Sequence, residues 1–304
     1  MNKQEQQTNI EWQHSANNEL GLLLTAALTL SEITEIDLIL PKEKGVIARI
    51  PEKDEVFPPE TAKEYFDACG VESNADDPIE LAEIQFILEE LGGSKDLTGM
   101  KILECGSGPG MLAKLMAEAG GSVLATDASP TMIELSREKH AEAIEQLDLD
   151  FELAEVRELP FPDGSFDMLV AKHILHQLPT DAAFKFLQET VRVLKEDGLA
   201  VIGDYNRLSS RKDRDARLQF TIPEMQPLLE ETFDASFTPK ELSFMLEQIP
   251  GIEFSVLVAE DPKRLGSEIR KKIEDDPVEG HATDWRTRLR VLIHKLPKGG
   301  SDES

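Results

Sequence analysis

The sequence predicts an α/β fold: an open, mostly parallel sheet of seven strands with an antiparallel finish, and helices on both faces. Three observations predict it. Short apolar runs alternate with helix-patterned segments between residues 97 and 206, the pattern of a parallel sheet wrapped by crossover helices. The first apolar run ends in Glu104-Cys105-Gly106-Ser107-Gly108-Pro109-Gly110 and leads into helix-forming sequence, which is how open α/β sheets bring backbone close to a nucleotide. Asp127 ends the next apolar run, about twenty residues on, where such sheets carry an acid that binds ribose.

Taken in order, residues 1–96 precede the alternating region as an N-terminal extension, expected to act as a lid. Within it, residues 17–31 and 77–91 have helical apolar spacing and no internal proline. Residues 36–40 and 45–50 flank Pro41-Lys42-Glu43-Lys44 in the manner of a hairpin. The main domain spans 97–298. It reads as strand 101–105, helix 112–119, strand 122–126, helix 132–146, strand 150–153, strand 168–171, helix 182–194 and strand 199–203. Residues 207–250 interrupt the alternation as a helical insertion after the fifth strand, with helices at 224–231 and 239–248, placed to cover a substrate. Pro250-Gly251 is a turn signal. Strands at 253–259 and 288–295 finish the sheet, separated by a long charged connector, and residues 299–304 form a tail expected to be disordered.

The glycine loop differs from the dinucleotide fingerprint. That fingerprint is G-x-G-x-x-G, with a pyrophosphate at the helix start, whereas this chain has E-x-G-x-G-x-G. Alternate glycines let the loop curl with little side-chain bulk, which suits a nucleoside without a diphosphate. Asp127 can accept from both ribose hydroxyls, and its charge would repel a 2′-phosphate.

A third stretch, Glu155-Val156-Arg157-Glu158-Leu159-Pro160-Phe161-Pro162-Asp163-Gly164-Ser165-Phe166-Asp167, precedes an apolar strand and then Lys172-His173-Ile174-Leu175-His176. Ser129-Pro130-Thr131-Met132 follows Asp127, and Arg192-Val193-Leu194-Lys195 precedes Gly198. With these motifs in this order, residues 97–206 resemble the Rossmann-like class I S-adenosylmethionine-dependent methyltransferases, in the branch that includes ubiquinone- and menaquinone-biosynthesis enzymes and many small-molecule methyltransferases. The resemblance implies S-adenosyl-L-methionine as cofactor and S-adenosyl-L-homocysteine as product. It implies that Glu104, Gly106, Ser107, Gly108 and Gly110 line the cofactor, and that Asp127 holds its ribose beside Ala128 and Met132. It further implies that Glu155, where the family usually has Asp, accepts from the adenine amino group. Val156 would meet the ring through its amide, and Lys172 would lie near the amino-acid end.

Methyl transfer from a sulfonium is an in-line displacement, so positioning and exclusion of water supply much of the rate. A base is needed only where the acceptor must lose a proton. His173, His176 and Asp204 are the catalytic candidates, lying after the fourth apolar strand and at the tip of the fifth. His176 reads equally as a brace for the helix start, and Asp204 as a partner for backbone. Arg207, Arg211, Lys212, Arg214 and Arg217 cluster after Asp204. They read either as a solvated face with intrachain ion pairs or, for Arg207 and Arg211, as a binding site for a substrate anion. Tyr65 resembles a tyrosine that covers the cofactor in some relatives, and packing within the extension accounts for it as well.

Composition excludes other classes. The formal charge of −27, from 59 acidic and 32 basic residues, weighs against nucleic acid as a partner. Cys69 and Cys105 give neither a disulfide framework nor a metal-ligand spacing, as expected of reduced thiols in a cytoplasmic protein. The start lacks the form of a secretory signal. The apolar stretch 20–30 is shorter than the roughly 17–25 residues of a membrane span; it would bury against the main domain or against a second copy in a homodimer. The expected function is methyl transfer to a small-molecule acceptor. The alternative is a binding or interaction protein on the same fold without turnover. A nicotinamide-dependent dehydrogenase is disfavoured by the loop spacing.

Overall fold

The computed structural model describes residues 13–14, 40, 48–52, 56, 58–70, 96–207, 226–258 and 288–297. The expected helices at 17–31 and 77–91, the first half of the expected hairpin except Leu40, the 260–287 connector, the tail and Arg211 lie outside the described residues. Of the hairpin's second half, residues 48–50 are described and do not form a strand.

One sheet organises the molecule. Its strands are β1 (Gln13–His14), β2 (Lys101–Cys105), β3 (Ser122–Asp127), β4 (Leu149–Leu153), β5 (Phe166–Lys172), β6 (Leu194–Tyr205), β7 (Ile252–Val258) and β8 (Arg288–Lys295), in the order β1-β7-β8-β6-β5-β2-β3-β4. Strands β4, β3, β2, β5 and β6 run parallel. Strand β8 returns antiparallel between β6 and β7. The expected seven strands are therefore present with their antiparallel finish. The two-residue β1, paired antiparallel to β7 at the edge, is an addition too short to give an alternation signal.

The connecting helices are α1 (Pro59–Gly70), α2 (Met111–Glu118), α3 (Pro130–Lys139), α4 (Ala141–Gln146), α5 (Thr180–Val193), α6 (Gln226–Ala235) and α7 (Pro239–Leu246). The expected helix 132–146 is two helices, because His140 leaves helical geometry (φ −103°, ψ 19°). The fifth expected strand, 199–203, extends back to Leu194, with Asp197 at φ 61° and a register shift between Phe166 and Met168.

Alternation along the central strands feeds two cores, as buried parallel sheets require. Leu103, Cys105, Leu169, Ala171, Ala200 and Ile202 pack with Phe186, Leu187, Leu242 and Leu246 of α5 and α7. Ile102, Met168, Val170 and Val201 face the other way, onto Leu112, Met116 and Ile133 of α2 and α3. Side-chain hydrogen bonds also lock the connections. Asp167 accepts from the Lys101 amide at 2.8 Å and from Lys195 Nζ at 2.8 Å, tying the starts of β2 and β5 to the beginning of β6. Arg192 donates to the carbonyls of Leu159 and Phe161 and to Glu189, and Glu189 in turn accepts from the Leu159 amide at 2.8 Å. The Leu159–Asp163 motif is thus held down from α5.

Arg207 follows β6 and is buried. Its guanidinium donates to Glu241 and, at 2.8 Å, to the Ser236 carbonyl. Glu241 also completes the capping box of α7, accepting from the Thr238 amide at 2.9 Å. Of the two readings of Arg207, the structure shows the intrachain ion pair and not a solvated face. Replacing Arg207 with methionine would strand a buried carboxylate. Arg207→Met should cost about 3–5 kcal/mol, read as a lowered midpoint in urea unfolding, and Arg207→Met with Glu241→Gln should recover part of the loss.

Candidate functional site

Between β2 and β5 the strand order reverses, and in parallel sheets the crevice at the carboxyl ends of such strands is where ligands sit. The glycine loop leaves β2 at this point. Gly106, Gly108 and Gly110 have φ of 68°, 50° and 77°, a region that side chains rarely adopt. A Cβ on Gly106 would overlap Cγ2 of Ile174, so the bare backbone lets the loop close against the chain that leaves β5. A Cβ on Gly110 would stand 2.5 Å from Cε1 of Phe151. At Gly108 nothing lies within 4 Å of such an atom; that side of the loop is open.

The loop is pinned from three sides. The Ser107 amide donates to the Thr126 carbonyl at 2.9 Å. Ser136 Oγ of α3 donates to the Gly108 carbonyl at 2.8 Å. His140 Nε2 lies 2.8 Å from the Pro109 carbonyl, its ring stacked on Phe151 at 5.7 Å. Neither Ser136 nor His140 is apparent as a site residue in the sequence, since a serine and a histidine 28 and 31 residues from their partners carry no motif.

Asp127, at the tip of β3, faces the loop. Its Oδ2 accepts from the Gly108 amide at 3.0 Å and its Oδ1 from the Ser129 amide at 2.9 Å. Burial pushes the carboxyl above its usual range, and the amides of Ser129, Gly108 and Ala128 oppose that shift. A carboxylate has about four lone-pair sites, so these oxygens retain capacity for ribose hydroxyls. Ser129 caps α3 through the Met132 amide at 3.3 Å, and Met132 is buried in the first turn of that helix. Ser107 is buried, and its Oγ has no hydrogen-bond partner among the described residues, a donor in place for a bound group. Glu104 is buried at the end of β2, where its carbonyl accepts from Thr126 Oγ1 at 2.8 Å. These features fit the cofactor expected from the sequence.

Three further expected residues follow the neighbouring strands. Glu155 lies beyond β4 and is engaged by Arg157, at 2.9 Å to the guanidinium and 3.2 Å to the amide. Val156 is buried beside it. Lys172 ends β5. Cys105 is buried and its thiol is pushed up to about 12 by burial, so it takes no part as a nucleophile.

On the other side of the crevice, beyond β5 and β6, the three expected catalytic residues come together. His173 has φ 60°, an uncommon backbone for a non-glycine residue and a form of strain that recurs at functional sites. Its ring stacks on Tyr205 at 4.7 Å. His176 is buried; its Nδ1 lies 2.7 Å from Asp204 Oδ1, and its amide donates to Asp204 Oδ2 at 3.1 Å. Asp204 is therefore both partners at once, to imidazole and to backbone. Tyr205 meets His176 edge-on at 5.7 Å, and its amide donates to Asp204 at 2.6 Å.

Two residues of the N-terminal extension complete this cluster. Arg49 donates to the carbonyls of Ala235, His176 and Leu178 and to Thr180 Oγ1, and its guanidinium lies 3.9 Å from the centre of the Phe237 ring. Burial and the neighbouring Arg207 lower it to about 10, so it stays charged at neutral pH. Glu52 Oε1 lies 3.8 Å from His176 Nε2 and accepts from Thr232 of α6 at 3.2 Å. No motif announces either residue as a site residue, since residues 48–52 belong to no helix or strand.

A methyltransferase domain family matches residues 103–202. The chain is 29% identical over 121 residues to a ubiquinone biosynthesis O-methyltransferase of Xanthomonas oryzae pv. oryzae, covering 40% of this chain and 49% of that protein. It is 29% identical over 162 residues to a demethylmenaquinone methyltransferase of Tropheryma whipplei, covering 49% of this chain and 65% of that protein. The chain thus spans about half to two thirds of the length of these curated relatives. Among solved structures it is similar to a SAM-dependent methyltransferase from Aquifex aeolicus, at TM-score 0.51 and 20% identity over 79% of this chain and 100% of that one. It is similar also to the plantazolicin methyltransferase BpumL in complex with a pentazolic desmethylPZN analog and SAH, at TM-score 0.57 and 13% identity over 79% of this chain and 92% of that one. The fold is that of class I S-adenosylmethionine-dependent methyltransferases.

Gly108 and Gly110 of the loop separate backbone strain from crowding. Gly108→Ala keeps open space and should cost only the left-handed backbone, about 1–2 kcal/mol. Gly110→Ala adds the Phe151 clash and should cost roughly 2–5 kcal/mol. Paired urea unfolding curves measure the difference.

Proposed function

We propose that this protein transfers a methyl group from S-adenosylmethionine to a small-molecule acceptor. The observation that carries the reading is Asp127: a half-buried carboxylate at the tip of β3, oriented by the Gly108 and Ser129 amides and lifted by burial. A charged group is rarely held this way without a ligand to meet it. When bound, the cofactor supplies an electrophilic methyl on a sulfonium.

The chain's own residues then divide the work. Asp127 takes the ribose hydroxyls, and the amides of the 106–110 loop approach without side chains in the way. Ser107 Oγ and Lys172 face the amino-acid end. Val156 and Met132 bound the adenine, with Glu155 near its amino group and Ala128 beside it. Across the crevice, Asp204, Tyr205 and His173 orient the acceptor next to the methyl. Displacement needs the acceptor atom held in line and water kept out, which the helices α6 and α7 and residues 48–52 provide as a cover. Where the acceptor atom carries a proton, His173 receives it. The two curated relatives are named for ubiquinone and demethylmenaquinone, and an aromatic acceptor suits the His173–Tyr205 stack.

Calorimetric titration should show saturable binding of S-adenosylmethionine and S-adenosylhomocysteine. Asp127→Asn keeps the shape but loses a charge-assisted bond worth about 1.5–3 kcal/mol, so affinity for both should fall roughly 10- to 100-fold. No saturation with either compound would refute the assignment. Formation of S-adenosylhomocysteine on a panel of small acceptors then tests turnover, which His173→Ala should lower far more than it lowers cofactor affinity.

A further inference from the structure

The buried imidazole of His176 lies between two carboxylates that come from distant parts of the chain. Asp204, at the end of β6, is 2.7 Å from Nδ1. Glu52, from the N-terminal segment, is 3.8 Å from Nε2. Both carboxylates are themselves enclosed, with side chains 2% and 10% exposed. Neither is free to swing away. Asp204 is fixed by the amides of His176 and Tyr205, and Glu52 is fixed by Thr232. The segment that brings Glu52 is anchored in turn by the Ile50 amide, which donates to the Asp234 carbonyl at 2.9 Å, and by the Arg49 fan of hydrogen bonds.

A carboxylate at hydrogen-bond distance from Nδ1 and a second within ion-pair reach of Nε2 both favour the charged ring, the form that carries a proton on each nitrogen. We propose that Glu52 is a positioning residue of the acceptor side: with Asp204 it holds His176 as an imidazolium, leaving His173 as the imidazole that exchanges a proton there. This rests on the reading of the β5–β6 crevice as the acceptor side, and it adds a residue that lies outside the matched methyltransferase domain.

The charges around the ring support it. Burial by itself pushes His176 down, and the Arg49 guanidinium adds to that, while Asp204 and Glu52 push it up; the outcome is upward. Glu52 is raised chiefly by burial, and His176 and Thr232 counter that rise. Among the described residues, Tyr205 is a further titratable group in contact with the ring. The imidazolium contributes stability that is fully present below the ordinary histidine midpoint of about 6.5 and is lost as pH rises through the higher folded midpoint. While the ring carries both protons it has no lone pair with which to act as a base.

The experiment is a proton NMR titration of the histidine ring resonances in the full chain, without cofactor, the His176 signal being the one absent from His176→Asn. It should titrate above the ordinary histidine midpoint of about 6.5. Glu52→Gln keeps the size and the Thr232 bond, and should move the midpoint down by about one pH unit, a tenfold change in proton affinity. Glu52→Asp keeps the charge at greater distance and should fall between the two. A His176 midpoint that Glu52→Gln leaves in place, or one already below 6.5 in the parent protein, would overturn the proposal. Since no cofactor or acceptor enters the titration, its outcome is separate from that of the S-adenosylmethionine binding test.

Discussion

Two backbone amides and one carboxylate meet at the centre of this molecule. Gly108 and Ser129 both donate to Asp127, which joins the loop after β2 to the turn after β3. The loop between β2 and α2 depends on that meeting. It requires a left-handed backbone at Gly108. It requires β2 and β3 in register, Cys105 opposite Thr126, so that the two strand tips end side by side. It also requires a helix, α3, that starts at once after the acid, which Ser129 and Pro130 secure. Burying a carboxylate costs free energy unless its oxygens are satisfied, and here two amides satisfy it only in part. The remaining acceptor capacity is what the proposed ribose contact would use.

The cluster beyond β5 and β6 is organised differently. There the chemistry-bearing residues are brought together by segments far apart in sequence: Arg49 reaches a carbonyl 127 residues away at His176, and Glu52 meets Thr232 across 180 residues. Both arginines of this region close the end of α6, Arg49 on the Ala235 carbonyl and Arg207 on the Ser236 carbonyl. Cations are favoured at the carboxyl end of a helix, and each arginine satisfies carbonyls that would otherwise lack a partner. The same two residues are set among Glu52, Asp204 and Glu241, so the charges alternate and no buried sign accumulates.

Legibility in the sequence follows this division. The central sheet could be read because its signals are local: apolar runs of strand length, Gly106 and Gly108 at fixed spacing, Asp127 at the next strand tip. Strand β2 falls where the apolar run 101–105 puts it, and β8 where 288–295 does. His173, His176 and Asp204 could be named, and the structure gathers them around Tyr205. What periodicity missed is non-local. The break at His140 is set by its bond to Pro109 and its stack on Phe151, contacts that no helical pattern encodes. Arg207 sits in a basic cluster, and composition does not tell an anion-binding arginine from one that pairs with Glu241. Glu52 and Arg49 lie in chain that forms neither helix nor strand, and nothing local in the sequence pairs them with partners more than a hundred residues away.

Polar contacts explain how residues 48–52 dock. The segment's large apolar side chain, Ile50, is 58% exposed, so burial of hydrocarbon does not hold it. The polar residues on either side do, through Arg49 to four acceptors and Glu52 to Thr232 and His176. Buried ion pairs add little net stability compared with apolar packing, because desolvation offsets most of the attraction. They are demanding in geometry, however, since a misplaced charge has no alternative partner. A segment held this way docks in one register or not at all, and its correct docking is what delivers the second carboxylate to His176. The arrangement therefore exchanges stability for placement at the edge of the sheet where the proposed acceptor would sit.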